Sequence, residues 1–306
     1  MKKLRQFIFS SLHNFVTLQI IFPLMKGIAK SVDVLVWPLV AVLVYLALQF
    51  MGQFVVQTVE FVTTGKGQPV EDMPSVVGQA MTVSSLLTIV VLIALKQFGL
   101  RRAFASLGCS FKNAVLAFVA IVVTIIATNI FNELIDEWFG IKMDEDYQVL
   151  FEGMARSNIG MLALCLLGPL CEEIVFRGGI MHPMMERKVR PWMPIVLSSL
   201  IFGLAHGNLV QILFAAIVGV VLAIIYYRTG SLLITTIAHV VNNTVTVMMI
   251  RTNADYADIR IEDYVGKGPM IVVFILLAAS VVMLTRLFWM RTEESFSHPV
   301  GDYSEV

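Results

Sequence analysis

The sequence predicts an all-α polytopic membrane protein, with about eight transmembrane helices and an N-terminal interfacial amphipathic helix. Three observations lead there. Of the 306 residues, 58% are hydrophobic and only 14% are charged, against roughly 25% charged in a soluble domain. Mean hydropathy is +0.81. Apolar stretches recur along the chain, each close to the roughly 20 residues that carry a helix across about 30 Å of hydrocarbon.

The apolar stretches place spans at 33–57, 76–96, 113–131, 159–185, 192–207, 208–228, 231–250 and 268–290. Almost no loop separates the fifth from the sixth, around Gly207 and Asn208, which predicts a tight helical hairpin. Ahead of the first span, the apolar run Phe7 to Leu24 is broken by His13, Asn14, Thr17 and Gln19 and flanked by Lys2, Lys3, Arg5, Lys26 and Lys30. That pattern suits a helix lying on an anionic leaflet rather than a ninth span. No small-residue cleavage site follows it, as a secretory signal would require. The chain therefore divides into an interfacial helix at 1–30, a single membrane domain at 31–292 and a cytoplasmic tail at 293–306. No internal repeat, low-complexity tract or long linker interrupts it.

Loop charge orients the spans. With eight spans and the N-terminus in the cytoplasm, 15 of the 22 Lys and Arg residues fall inside and 6 outside. The positive-inside rule thus puts both termini in the cytoplasm. The outer segments 132–158 and 251–267 read as acidic loops. Formal net charge is zero and no basic cluster alternates with aromatics, which argues against nucleic acid as a partner. Cys109, Cys165 and Cys171 form neither a disulfide framework nor metal-site spacing.

Charge inside the bilayer is what singles out a site. Glu172, Glu173 and Arg177 interrupt the fourth span; a charge at mid-bilayer costs roughly 3 kcal/mol even on lenient scales, and such residues face a protein-lined or watered cavity. The fifth span carries Phe202 and His206, and the seventh carries His239, Asn242 and Asn243. Measured from the inner ends of their spans, Glu172 and His206 lie at a depth of about 20 Å, Asn243 at about 18 Å and His239 at about 12 Å. Spacing permits these groups to meet in one layer. Glu173 and Arg177, four apart, can pair on one helical face. Glu172 points about 100° away and has no partner in its own helix. A carboxylate near histidines can act as a general base on water, and His239 and Asn243 can donate to an oxyanion. Each group also has a plainer use. Glu173–Arg177 serves equally well as a structural pair, His206, His239 and Asn243 are of the types that join membrane helices, and Phe202 suits packing. A proton-coupled transporter would also keep such groups, although it should show Gly- or Pro-broken helices in both halves. Gly168-Pro169 has no counterpart in the first half.

Glu172-Glu173-x-x-x-Arg177, Phe202-x-x-x-His206 and His239-x-x-x-Asn243 resemble, in order, the three signature motifs of the CAAX protease and bacteriocin-processing family of intramembrane proteases. The resemblance covers about 159–250. It implies a helical membrane fold with its active site in the bilayer. Glu172 would activate a water, His206 would position it, His239 and Asn243 would form the oxyanion hole, and Glu173, Arg177 and Phe202 would support the site. It further implies a membrane-embedded or lipid-linked peptide or protein as substrate and the bacterial cytoplasmic membrane as location. No cofactor is expected; a zinc ion, if present, would take Glu172, His206 and His239. Some relatives are non-catalytic scaffolds or immunity proteins, which stands as the alternative.

Overall fold

The computed structural model describes residues 36–64, 73–94, 111–186, 190–253 and 260–293. The interfacial helix expected at 1–30, Cys109 and the tail beyond Glu293 lie outside the described residues. Those described are helical, with no strand among them. In chain order the helices are α1 Val36–Thr64, α2 Met73–Ala94, α3 Phe111–Phe139 and α4 Glu145–Arg156. Then comes α5, a continuous helix made of five segments: Asn158–Leu162, the π-helical Ala163–Leu167, Gly168–Glu173, the π-helical Ile174–Met181 and His182–Glu186. It is followed by α6 Trp192–Leu204, α7 Leu209–Thr229, α8 Leu232–Thr252, the short α9 Glu262–Val265 and α10 Lys267–Glu293.

Seven of these, α1, α2, α3, α5, α7, α8 and α10, are long and apolar enough to cross a membrane. The protein is an all-α polytopic membrane protein. The eighth apolar segment, α6, has 13 residues and so reaches only about 20 Å. It ends before the expected boundary because the chain turns back at Gly207, whose φ of 72° lies in the left-handed region that a Cβ disfavours. Asn208 then starts α7 by accepting the backbone N–H groups of Val210 and Gln211 at 3.1 and 3.4 Å. The expected hairpin is thus formed, with α6 and α7 in close contact. A Cβ on Gly203 would stand 2.7 Å from the Ile212 carbonyl oxygen.

The segment 132–158, read from sequence as a loop, is mostly helix. Hydropathy falls at Asn132, Glu133, Asp136 and Glu137, but α3 continues through them to Phe139. Glu133 is drawn into the fold there, its carboxylate accepting the N–H groups of Ile261 and Glu262 at 2.9 Å each. After Gly140 the amphipathic α4 begins, with Asp144 as its N-cap. Its apolar side, Leu150, Phe151, Met154 and Ala155, packs with Leu164, Val247 and Ile250 of α5 and α8. Arg251 holds the far end of α4 by donating to the Ala155 and Arg156 carbonyls at 3.0 and 2.8 Å.

The main core surrounds α5. Phe176, Ile180 and Met181 pack with Tyr45 of α1, Leu92 of α2, Ile195 and Phe202 of α6 and Tyr226 of α7. Small residues let these helices approach closely, as membrane bundles require. A Cβ on Gly78 would lie 3.0 Å from the Gly160 Cα.

Candidate active site

Glu172 and Glu173 close the short α-helical stretch between the two π-helical segments of α5. Successive helical residues point about 100° apart, so the two carboxylates meet different neighbours. Glu173 is fully buried. Its Oε2 lies 3.2 Å from Arg177 Nε, and its Oε1 accepts the Nδ1–H of His239 at 2.9 Å. Arg177 is equally buried; its Nη2 donates to the Gly219 carbonyl at 3.1 Å, and the guanidinium sits 5.0 Å from the Phe202 ring centroid. Gly219 serves twice here: its carbonyl receives Arg177, and its missing side chain makes room for Phe202, which a Cβ would meet at 3.0 Å. The intrahelical pair expected from spacing is thus formed, and it extends to α7 and α8.

Phe202 is the hub between the motifs. Its ring packs edge-to-face with Phe176, His206 and His239 at centroid distances of 5.2, 5.0 and 5.5 Å. Only 2% of it is exposed, so it is core and not lipid-facing. His206 Nδ1 lies 2.9 Å from the Phe202 carbonyl oxygen. A carbonyl only accepts, so Nδ1 carries the proton, and Nε2 of the neutral ring is left as an acceptor. His239 is fixed in the same way from its Nδ1 side by Glu173. Its Nε2 faces Glu172, with Oε2 at 3.6 Å. The Glu172 side chain keeps 12% of its surface exposed, where that of Glu173 keeps none.

Asn243 lies one turn beyond His239 on α8, but it meets α5 at Leu164 and not at the carboxylates: its Nδ2 donates to the Leu164 carbonyl at 2.9 Å. Asn242 donates to Asn243 Oδ1 at 3.0 Å. Glu172, Glu173, Arg177, Phe202, His206 and His239 therefore form one contiguous group, with Asn243 at its edge. Among the described residues no set of three or more His, Cys, Asp or Glu side chains is placed to hold a metal ion. Both histidine Nδ1 atoms are already hydrogen-bonded. That leaves the Nε2 atom of each ring for any further partner.

Sequence reading missed Tyr147 and Gln211. The Tyr147 hydroxyl of α4 donates to Gln211 Oε1 in the first turn of α7 at 2.7 Å. Burial raises its pKa, the bond to Gln211 opposes this, and the charge of Glu172 raises it further. The first turn of α4 thus meets the first turn of α7. Its signal was present: Asp144 as a helix cap, then Tyr147, Leu150, Phe151 and Met154 at helical spacing.

Residues 155–245 match the family described as "Type II CAAX prenyl endopeptidase Rce1-like". This stretch is similar to the CAAX protease and bacteriocin-processing family. The matched stretch contains every residue of the three motifs, while α1, α2, α3 and α10 lie outside it. The chain is also 30% identical over 112 residues to the Bacillus subtilis (strain 168) protein named "Putative membrane peptidase YdiL", covering 36% of this chain and 46% of that one. The chain thus spans about half the length of the curated relative it matches. No solved structure matches it.

Proposed function

We propose that this protein is an intramembrane endopeptidase that hydrolyses a peptide bond in a membrane-embedded or lipid-linked substrate, with Glu172 as the general base. The observation that carries the reading is the division of labour between the adjacent carboxylates. Glu173 is fully buried and committed to Arg177 and His239, whereas Glu172 is partly open and faces His239 Nε2.

In this mechanism Glu172 removes a proton from water as the oxygen attacks the scissile carbonyl. His206 Nε2 accepts a hydrogen bond from the other O–H of the water and so orients the nucleophile. Negative charge develops on the former carbonyl oxygen. His239, held at Nδ1 by Glu173, donates to it from the Nε2 of its imidazolium form. The second amide N–H of Asn243 is a further donor. Collapse of the tetrahedral species breaks the C–N bond, and the proton held by Glu172 passes to the leaving amine. Loop charges favour both termini on the cytoplasmic side, in the bacterial cytoplasmic membrane.

The test compares the purified chain with Glu172→Ala in detergent. Each is incubated with a mixture of lipid-linked and transmembrane peptides and followed by mass spectrometry, with and without chelator. Cleavage that the variant loses and the chelator spares is the expected result. Equal cleavage by both proteins removes Glu172 from the mechanism. Loss on chelation with recovery on zinc turns the carboxylate and histidines into metal ligands.

A further inference from the structure

The amide of Asn243 has an anchor that the three motifs do not explain. A carbonyl in a helix expects a backbone donor four residues on, or five in a π-helical turn. For Leu164 both are missing. The Gly168 N–H is given to the Ala163 carbonyl, and residue 169 is a proline, which has no N–H. A carbonyl left without a partner inside a membrane protein is costly. Asn243 Nδ2 supplies the missing donor from α8 at 2.9 Å. On its other side Asn243 Oδ1 accepts from Asn242 Nδ2 at 3.0 Å, and Asn242 is itself buried. One Asn243 amide N–H and its carbonyl oxygen are thereby pinned, and a single N–H remains to be aimed.

We propose that Pro169 and Asn242 are positioning residues for the reaction: Pro169 orphans the Leu164 carbonyl so that it holds Asn243, and Asn242 fixes the rotation of the same amide. The proposal rests on the reading of Asn243 as an oxyanion donor given above. Pro169 precedes Glu172 by three residues in α5, so one segment sets both the base and the anchor of the group that stabilises the oxyanion. Asn and Pro here do not merely join helices. A joining role would need some donor on α8, whereas this chain of bonds fixes which Asn243 hydrogen stays free.

Two measurements test the proposal, one without catalysis. The first is a thermal-denaturation cycle in detergent over the parent, Asn243→Ala, Pro169→Ala and the double variant. Asn243→Ala should lower the melting temperature in the parent, because it strands the Leu164 carbonyl. In the Pro169→Ala background the new backbone N–H reaches that carbonyl, so the same change should cost clearly less. An equal loss in both backgrounds overturns the anchor. The second follows cleavage. Asn242→Ala should lower kcat roughly tenfold with KM little changed, less than the 10²-fold or more for an oxyanion donor itself. Added to Asn243→Ala it should have no further effect. A normal kcat for Asn242→Ala beside an impaired Asn243→Ala overturns the role of Asn242. Full activity of Asn243→Ala, with Glu172→Ala inactive, instead sinks the oxyanion assignment, and the melting cycle still decides the anchor.

Discussion

Helices α5 and α10 are both apolar and of spanning length, yet they live in different solvents. In α5 61% of the spanning stretch is buried in protein, in α10 only 6%. The buried helix is the less hydrophobic of the two, with hydropathy 1.9 against 2.5. In a soluble protein that order would be reversed. In a bilayer, lipid is as apolar as any core, so hydrophobicity marks the outside as well as the inside. Polar and small residues mark the helix that has neighbours. Glu172, Glu173, Arg177 and the glycines of α5 mark the centre of the bundle because only protein partners make them tolerable there.

The largest expected difference between the two regions is chemical. Glu172→Gln should reduce cleavage by about 10²–10⁴-fold, the range for loss of a general base, with the melting temperature little changed, since Glu172 stays partly exposed and meets His239 only at 3.6 Å. Next comes Arg177→Met. It strands the Glu173 carboxylate beside His239 and should cost about 3–5 kcal/mol in stability, read by thermal denaturation, with activity falling as well. If Glu172→Gln destabilised as much as Arg177→Met, the separation of base from scaffold would be lost.

Much of this centre was legible in the sequence. The i,i+4 spacing of Glu173 and Arg177 forecast their pair, and depth along the spans brought His206 and His239 to one layer. What escaped was everything set by backbone donors and acceptors. Hydropathy does not register that Pro169 deprives Leu164 of a donor, or that a second widened segment, Ile174–Met181, is met by Ser198 donating to the Phe176 carbonyl at 3.2 Å. Nor could a hydropathy window find α4, whose value lies in one face meeting Leu164, or foresee that Tyr147 would reach Gln211, 64 residues away. The three motifs named most of the residues in the centre but not what holds them. Glu173 bonds His239, the Phe202 carbonyl holds His206, and Gly219 receives Arg177.

Smaller effects sharpen the comparison at contacts beside the centre. Gly219→Ala would press a methyl against Phe202 at 3.0 Å and should cost about 1–3 kcal/mol by overpacking. Because Phe202 carries both imidazoles on its ring, activity should fall further than stability alone explains. Tyr147→Phe removes one hydrogen bond worth about 1 kcal/mol and should lower the melting temperature slightly. Gln211→Leu should do the same, and the double variant should lose no more than either single change. Additive losses would show that the two side chains act independently.

The smallest effect belongs to α10. Leu276 is 62% exposed, and its side chain has lipid where Phe176 of α5 has Tyr45 and Phe202. Leu276→Ala leaves no cavity, because lipid chains fill the space as readily as they met the leucine; its cost should stay within about 0.5 kcal/mol. Phe176→Ala opens a void among fixed neighbours and should cost about 3–5 kcal/mol. The two residues are comparably apolar, so the gap in melting temperature measures packing alone. A large loss at Leu276 would mean that α10 is covered by a protein surface, such as another copy of the chain, and its concentration dependence would distinguish that from a local effect.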